Sequence, residues 1–397
     1  MDPCLSIRIA GDRYEGFVVV DSLVGDTSAG GVRIYDDLEL AEIGDLAREM
    51  SLKYALFRLP RGGAKAGLRL APGLSGEERL HALRDFGRKL GPIVRNGIYN
   101  PGMDMNCGPD ELRAIYAGAG IPLGPVTDTS WFTALGVFHA LEACAAALGR
   151  EQGRVTVAVE GFGSVARHLA ARLPDRYRIV ALSTVAGAVR HPTGFEPQRV
   201  MAQRDAHGDD LVTQLDGESI DLSAVFAAPV DILIPAARTR SLTAELAGTV
   251  AARAVVPIAN APYGDGAVDV LHARGIVCLP GYVVNVGGVL ASSLYDQGVP
   301  RPAIEKLFAT RYRDVVAQLV HVAASRGLPV TVLAQELATR TIAARATFRP
   351  RSIPERVYER FLRHRLPRRW RGAQARRRCV RAFDDLRVSI DAAGRNA

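Results

Sequence analysis

Near the middle of the chain, Val155-Thr156-Val157-Ala158-Val159 runs straight into Gly161-Phe162-Gly163-Ser164-Val165-Ala166 and on into Arg167 to Leu173. A β-branched run without polar alternation reads as a strand buried on both faces. Glycines directly after it, followed by a helical stretch, make a strand–turn–helix unit of a parallel sheet. Gly161 permits the tight turn. Gly163 lets the backbone approach a pyrophosphate, whose charge then sits at the helix N-terminus. Ala166 replaces the third glycine with another small residue. An ordinary turn that merely needs glycine is the plainer alternative. The buried strand before and the helix after favour a dinucleotide loop made by Gly161, Phe162, Gly163, Ser164 and Val165.

The rest of the chain fits this unit into a larger plan. Tyr177 to Leu182, Asp231 to Ile234, Ala254 to Ile258 and Gly275 to Leu279 read as further parallel strands, alternating with helices in a doubly wound sheet. Before it, strand-like Phe17 to Val20 and helices near Leu38 to Phe57, Gly76 to Leu90 and Pro109 to Ala117 indicate a separate α/β domain. The expected fold is α/β: an N-terminal α/β substrate domain over 1–130, completed by helices of about 305–346, a Rossmann domain over 131–304, and a helical C-terminal extension over 347–397.

The net charge of +8 is concentrated in that extension. From Arg349 to the end there are fifteen arginines and five acids, so the remaining body is near neutral. Nucleic acid is therefore disfavoured as a partner, and the tail reads as a solvated helix pair packing on an oligomeric neighbour. Five scattered cysteines with no CxxC pair point to reduced thiols in a cytoplasm and to no zinc site. No apolar run reaches the 18 residues of a membrane span.

The chain has four lysines, Lys53, Lys65, Lys89 and Lys306, among 50 basic residues. An ammonium can shift its pKa and trade protons, which a guanidinium cannot, so a retained lysine singles itself out. Lys65 falls in a glycine-rich stretch, Gly62-Gly63-Ala64-Lys65, read as a loop just after a helix that carries Lys53. Asp104 falls in the Pro101-Gly102-Met103 loop. Two neighbouring ammonium groups depress one another's pKa, giving an amine able to act as a base near neutrality. Surface lysines and a turn-capping aspartate are the alternative.

These segments occur in a familiar order. Ala29-Gly30-Gly31-Val32-Arg33, Met50-Ser51-Leu52-Lys53, Leu59-Pro60-Arg61-Gly62-Gly63-Ala64-Lys65, Pro101-Gly102-Met103-Asp104, Thr133-Ala134-Leu135-Gly136-Val137, Pro235-Ala236-Ala237, Ala259-Asn260-Ala261-Pro262 and Asn285-Val286-Gly287-Gly288 together resemble the glutamate/leucine/phenylalanine/valine dehydrogenases, over roughly residues 15 to 346. The resemblance implies NAD(P)-dependent oxidative deamination of an L-amino acid, reversible as reductive amination of the 2-oxo acid, in a homo-oligomer. Lys53 would hold the substrate α-carboxylate, Lys65 would activate water, and Asp104 would exchange protons with the substrate nitrogen. Ala29, Gly30 and Ser292 would line the substrate pocket. Thr133, Asn260 and Asn285 would contact the cofactor, with hydride passing in a cleft between domains.

Several positions depart from the family pattern. Ala29 stands where glutamate dehydrogenases carry a lysine for the distal carboxylate, so an apolar or aromatic amino acid is expected. Ser292 makes the pocket partly polar. The second strand ends at Thr184, where an acid would hold the 2′-hydroxyl of NAD. Arg190 is a candidate for a 2′-phosphate, which tilts the reading toward NADP. Pro257-Ile258, Gly281 and Arg238-Thr239-Arg240 also differ on the cofactor side. A non-catalytic or regulatory nucleotide-binding member of the same fold is the alternative reading.

Overall fold

The computed structural model describes residues 3–346 and 367–395. Among these the chain divides into two compact units, one running to Thr127 and taking in the helix end from Ala338, the other running from Asp128 to Leu337 and taking in the C-terminal helix.

The first unit is built on a five-stranded mixed sheet in the order β1-β2-β4-β3-β5, formed by Leu5–Ala10, Tyr14–Val20, Gly62–Leu70, Ser28–Ile34 and Tyr99–Met103 respectively. The β1–β2 and β2–β4 pairs are antiparallel, and β3 is parallel to both β4 and β5. Its helices are α1 (Leu40–Leu56), α2 (Gly76–Arg95) and α3 (Pro109–Gly118). Ser75 and Glu78 fix the start of α2 by a reciprocal capping box. Leu83, Phe86 and Leu90 of α2 pack with Leu112 and Ile115 of α3 and with Val18, Val32 and Leu68 of the sheet.

The glycines of this unit explain a difference from the sequence reading. Gly62-Gly63-Ala64-Lys65 is the start of strand β4 and not a loop. A Cβ on Gly63 would lie 2.1 Å from the Ser51 nitrogen of α1, and one on Gly30 would lie 1.6 Å from the Ala64 carbonyl oxygen. The glycines let a helix and two strands approach closely, and a run that reads as a chain breaker becomes the centre of a sheet.

The second unit carries a seven-stranded sheet in the order β12-β11-β10-β6-β7-β8-β9. The strands are β6 (Val155–Glu160), β7 (Tyr177–Thr184), β8 (Gly187–Phe195), β9 (Glu218–Ile220), β10 (Ile232–Pro235), β11 (Ala254–Val255) and β12 (Val277–Cys278). From β12 to β7 the pairing is parallel; β8 and β9 are added antiparallel at one edge. These two edge strands were not legible in the sequence, since β8 interleaves Arg190, His191, Pro192 and Thr193 with little apolar content.

Helices α4 (Ser130–Ala147), α5 (Ser164–Ala170), α6 (Pro197–His207), α7 (Leu211–Gln214), α8 (Ala244–Thr249), α9 (Ala267–Ala273), α10 (Gly281–Val284) and α11 (Gly287–Asp296) belong to this unit, as do α12 (Arg301–Leu307) and α13 (Arg313–Ser325). A π-helical turn at Phe308–Tyr312 joins the last two. The sequence reading assigned about 305–346 to the first domain. Instead α13 packs on α4, burying Val315, Val316 and Leu319, and only the end of α14 (Val330–Ala346) counts with the first unit.

The last helix, α15 (Arg368–Arg395), also packs on its own unit. Ala375, Cys379, Phe383, Leu386 and Ile390 recur at helical spacing and are buried, against α13 and α11. Asp384 pairs with Arg311 at 2.8 Å, and Gln318 donates to Asp391. The expected packing of the tail on a neighbouring subunit is thus not needed to cover this helix. Residues 347–366 lie outside the described residues. All five cysteines are free, and no single helix among the described residues is long and apolar enough to cross a membrane.

Candidate active site

Three elements of the first unit bring the charged residues together. Lys53 lies in the last turn of α1, Lys65 in the centre of β4, and Asp104 just past the end of β5. The parallel pairing of β3 with β4 and β5 places Ala29 opposite both Gly63 and Asn100, and Gly31 opposite Gly102. A Cβ on Gly31 would sit 2.7 Å from the Asp104 Cβ, so the glycine pair clears the space in which Asp104 stands. Ala29 is buried in β3, and the Tyr99 hydroxyl donates to the Gly30 carbonyl at 3.1 Å.

Lys65 Nζ lies 2.7 Å from Asp104 Oδ2, and both side chains are nearly inaccessible. The same oxygen takes Arg33 Nε at 3.2 Å, and Arg33 Nη1 reaches Glu42 Oε1 at 3.2 Å. Arg33, only 3% exposed, belongs to this network, although its motif in the sequence does not mark it as part of the site. No local pattern could have found it, because its partners lie 9 and 71 residues away.

Burial pushes the Lys65 amine below its ordinary value, Asp104 opposes the shift, and the Arg33 guanidinium adds to it. The like charge acting on Lys65 is therefore chiefly that of Arg33, where the sequence reading had named Lys53. Lys53 is pushed down to about 8, first by burial, with Lys65 contributing and Glu49 and Asp104 opposing. The neighbouring Arg33 and Lys65 hold the Asp104 carboxyl well below the usual carboxylate range, although burial alone would raise it.

In the second unit the glycine loop between β6 and α5 has the expected strand–turn–helix form. Gly161 adopts φ +87°, with Ala237 packed against its α-carbon. Phe162 is buried, Gly163 and Ser164 are exposed, Val165 is half-buried, and a Cβ on Gly163 would meet nothing within 4 Å. Two glycine-rich motifs distant in sequence pack on each other: a Cβ on Gly287 would lie 1.9 Å from the Phe132 carbonyl oxygen, and one on Gly288 would lie 2.5 Å from Thr133 Oγ1. Asn285 is held beside Asn260, its Nδ2 donating to the Ile258 carbonyl at 3.0 Å and to Asn260 Oδ1 at 2.9 Å. The Ile258 carbonyl fixes which way this amide points. Asn285 Oδ1 is left buried with no partner. An orphaned acceptor of this kind costs free energy until a donor arrives, and an amide N–H of a nicotinamide is such a donor.

Two other cofactor-side residues behave differently from the sequence reading. Arg190 lies on β8 opposite Ala181, three residues back from the end of β7, and pairs with Glu218 at 2.7 Å. It therefore lends no support to a 2′-phosphate site. Thr184 donates to the Asp209 carbonyl at 2.6 Å and accepts from the Ala186 nitrogen at 3.1 Å, so its proton is committed. Ser292 likewise donates into its own helix, to the Gly288 carbonyl at 2.6 Å, and offers no free proton to a ligand. A residue that the sequence did not signal is Glu160, at the end of β6. Its Oε2 accepts from Ala236 N, Ala237 N and Ser241 Oγ, and burial pushes the carboxyl up to about 7.

Two family models divide the chain between them. Residues 9–119 match the Glu/Leu/Phe/Val dehydrogenase dimerisation domain, and residues 124–348 match the Glutamate/Leucine/Phenylalanine/Valine dehydrogenase domain. The chain belongs to this dehydrogenase family. Its activity class follows: an NAD(P)-dependent amino-acid dehydrogenase, an oxidoreductase acting on CH–NH2 donors. The glutamate dehydrogenase of Thermotoga maritima is 30% identical over 333 residues, covering 76% of this dehydrogenase and 79% of its relative. An NADP-specific glutamate dehydrogenase of Synechocystis is 30% identical over 291 residues (66% and 67%), and an NAD-specific one of Staphylococcus aureus is 32% identical over 286 residues (68% of each chain). Among solved structures, the Leu-bound hetero-hexameric glutamate dehydrogenase of Thermus thermophilus superposes with a TM-score of 0.72 at 27% identity, covering 86% of this chain and 89% of that one.

Proposed function

We propose that this dehydrogenase oxidatively deaminates an L-amino acid with an apolar or aromatic side chain, and aminates the matching 2-oxo acid in reverse. The observation that carries the substrate class is the buried Ala29 on β3, at the position where the family resemblance places the lysine of glutamate dehydrogenases. The other cations of the first unit's site are engaged. Arg33 is committed to Asp104 and Glu42, and Lys65 to Asp104. A γ-carboxylate would be desolvated without a partner, at a cost of several kcal/mol. An apolar side chain gains about 25 cal/mol per Å² buried.

Lys53 is the cation for the substrate α-carboxylate. Its depressed pKa rises again when that carboxylate arrives, which locks the charge in place. Lys65, neutral once its proton has left, takes a proton from the water that attacks the iminium carbon. Asp104 cannot hold a proton while both Arg33 and Lys65 face it. Turning Lys65 toward water removes one of the two cations, and Asp104 becomes basic enough to accept the proton of the substrate nitrogen. Thr133, Asn260, Asn285 and the Gly161–Val165 loop hold the cofactor, whose chemistry is to accept the hydride from the substrate α-carbon. With no acid at Thr184 and Arg190 paired, NAD and NADP are expected to bind within about tenfold of each other, a gap of about 1.4 kcal/mol. A homo-oligomer built through the dimerisation domain is part of the same reading.

The test is a screen of L-amino acids with each cofactor, following reduced nicotinamide by absorbance. Leucine, phenylalanine or tryptophan should turn over faster than glutamate, and Ala29→Lys should shift the preference toward glutamate. Glutamate as the best substrate of the unaltered chain would overturn the pocket argument.

A further inference from the structure

The charges of α15 are arranged against the helix's own field. Its N-terminal half, from Arg368 to Arg381, carries seven arginines and no acid; its three acids, Asp384, Asp385 and Asp391, all lie in the C-terminal half. A helix macrodipole disfavours cations in the first turn, where Arg368, Arg369 and Arg371 stand. Folding alone gives no reason for this order.

The two halves also differ in what their charges do. Asp384 and Asp391 hold the helix to Arg311 and Gln318, and Arg387 reaches Asp314 at 3.8 Å. Arg369, Arg376, Arg377, Arg378 and Arg381 are exposed and have no acidic partner among the described residues. Several exposed arginines elsewhere are paired, such as Arg13 with Glu78 and Arg199 with Asp216, while others, such as Arg84 and Arg313, likewise stand without an acidic partner among the described residues. Trp370, Arg377 and Arg381, at i, i+7 and i+11, fall on one line of the helix opposite the buried stripe of Ala375, Cys379, Phe383 and Ile390. Trp370 is 62% exposed at the head of that line. The family models end at residue 348, so this face lies outside the residues that they match.

We propose that the exposed face of α15 binds single-stranded nucleic acid, with Arg377, Arg381 and their neighbours Arg376 and Arg378 on phosphates and Trp370 stacked on a base. The use of arginine carries no weight here, because this chain uses arginine almost everywhere. What carries it is the combination of cations with no acidic partner among the described residues, a helix half from Arg368 to Arg381 without acids, and an aligned aromatic platform. The sequence alone disfavours nucleic acid because the body is near neutral. Helix packing nonetheless supplies a stripe: it sends Phe383 into the core and leaves Trp370 outside. An acidic peptide would satisfy the arginines but give Trp370 nothing to stack on, and duplex DNA keeps its bases paired.

Fluorescence anisotropy with the full chain tests this, using labelled twenty-nucleotide single strands of RNA and DNA, a duplex, and polyglutamate over a range of salt. Single strands should bind, with log affinity falling against log salt by about 0.7 per phosphate neutralised, a slope of roughly −2 to −4 for three to five contacts. The double substitution Arg377→Glu with Arg381→Glu should weaken binding at least tenfold, and Trp370→Ala several-fold. Both should leave the melting temperature and amino-acid oxidation unchanged. Competition by unlabelled strand against the unaltered chain gives a readout that does not depend on the variants. Absence of binding at low salt, unchanged affinity in the double variant, or polyglutamate or duplex binding as tightly as single strands would overturn the proposal.

Discussion

The substrate side and the cofactor side of this dehydrogenase are prepared in opposite ways. In the first unit the charges around Asp104 already have counter-charges: Lys65 and Arg33 share Asp104, and Glu42 closes the row. In the second unit the groups proposed to meet the cofactor are backbone, open space beside Gly163, and the unpartnered Asn285 Oδ1. A network of buried charges is costly to disturb and sets proton affinities. A bare backbone loop with one orphaned acceptor sets affinity for a large ligand and little else. Substitutions on the two sides should therefore fail in different currencies, turnover and stability on one, cofactor affinity on the other.

The largest separation is expected from Lys65→Ala. Removing the proposed base should lower kcat by about two to four orders of magnitude, while calorimetric titration should find the cofactor dissociation constant unchanged. Wild-type turnover in this variant would dissolve the distinction between the two sides. Next comes Arg33→Met, which leaves Asp104 and Glu42 without their shared cation. Breaking a buried pair of this kind costs about 3–5 kcal/mol, to be read from denaturant midpoints. The surviving activity should show an acid limb moved to higher pH, because Asp104 then loses one of the two cations that keep it ionised.

A smaller effect belongs to the cofactor side. Asn285→Ala should weaken cofactor binding by about tenfold, the size of one hydrogen bond at about 1.4 kcal/mol, with kcat at saturating cofactor nearly unchanged. An equal fall in kcat would mean that Asn285 belongs to the chemistry instead. Smallest of all is a slope in pH. Lys53, pushed down to about 8 by burial, is charged below that pH and neutral above it. The substrate KM should stay flat up to about pH 8 and then climb toward tenfold per unit as the cation is lost. A KM flat through pH 9.5 would show that Lys53 is not the carboxylate's partner.

The sequence carried the two halves of the molecule unequally. The dinucleotide loop was legible in place, because a buried strand, a glycine turn and a helix are contiguous and obey local rules. Lys53, Lys65 and Asp104 were legible as types, but Lys65 was read on a loop. Glycine there signals close approach of α1 to β4, and a single sequence cannot separate that from a turn. Arg33 and Glu42 were missed because the charge network joins residues that only the sheet order brings together. The place of Arg190 was not legible for a related reason: β8 runs back antiparallel to β7 and sets Arg190 opposite Ala181, a reversal that its polar, proline-containing sequence does not announce. The short strands β11 and β12 lay inside apolar runs whose true ends depend on tertiary contacts.

The scarcity of lysine has a practical consequence for labelling. Of the four side-chain amines in the molecule, two are the buried Lys53 and Lys65, and Lys89 is tied to Asp85 at 2.8 Å and to the Ala10 carbonyl. An acylating or aldehyde reagent therefore has very few places to act, and most of the surface is invisible to it. Inactivation by such a reagent, slowed by substrate, would come almost entirely from the site itself. Immobilisation through surface amines would have to rely on Lys306, Lys89 and the chain terminus, so the same scarcity that exposes the active site to chemical probing leaves the outside of the protein with hardly any amine handles.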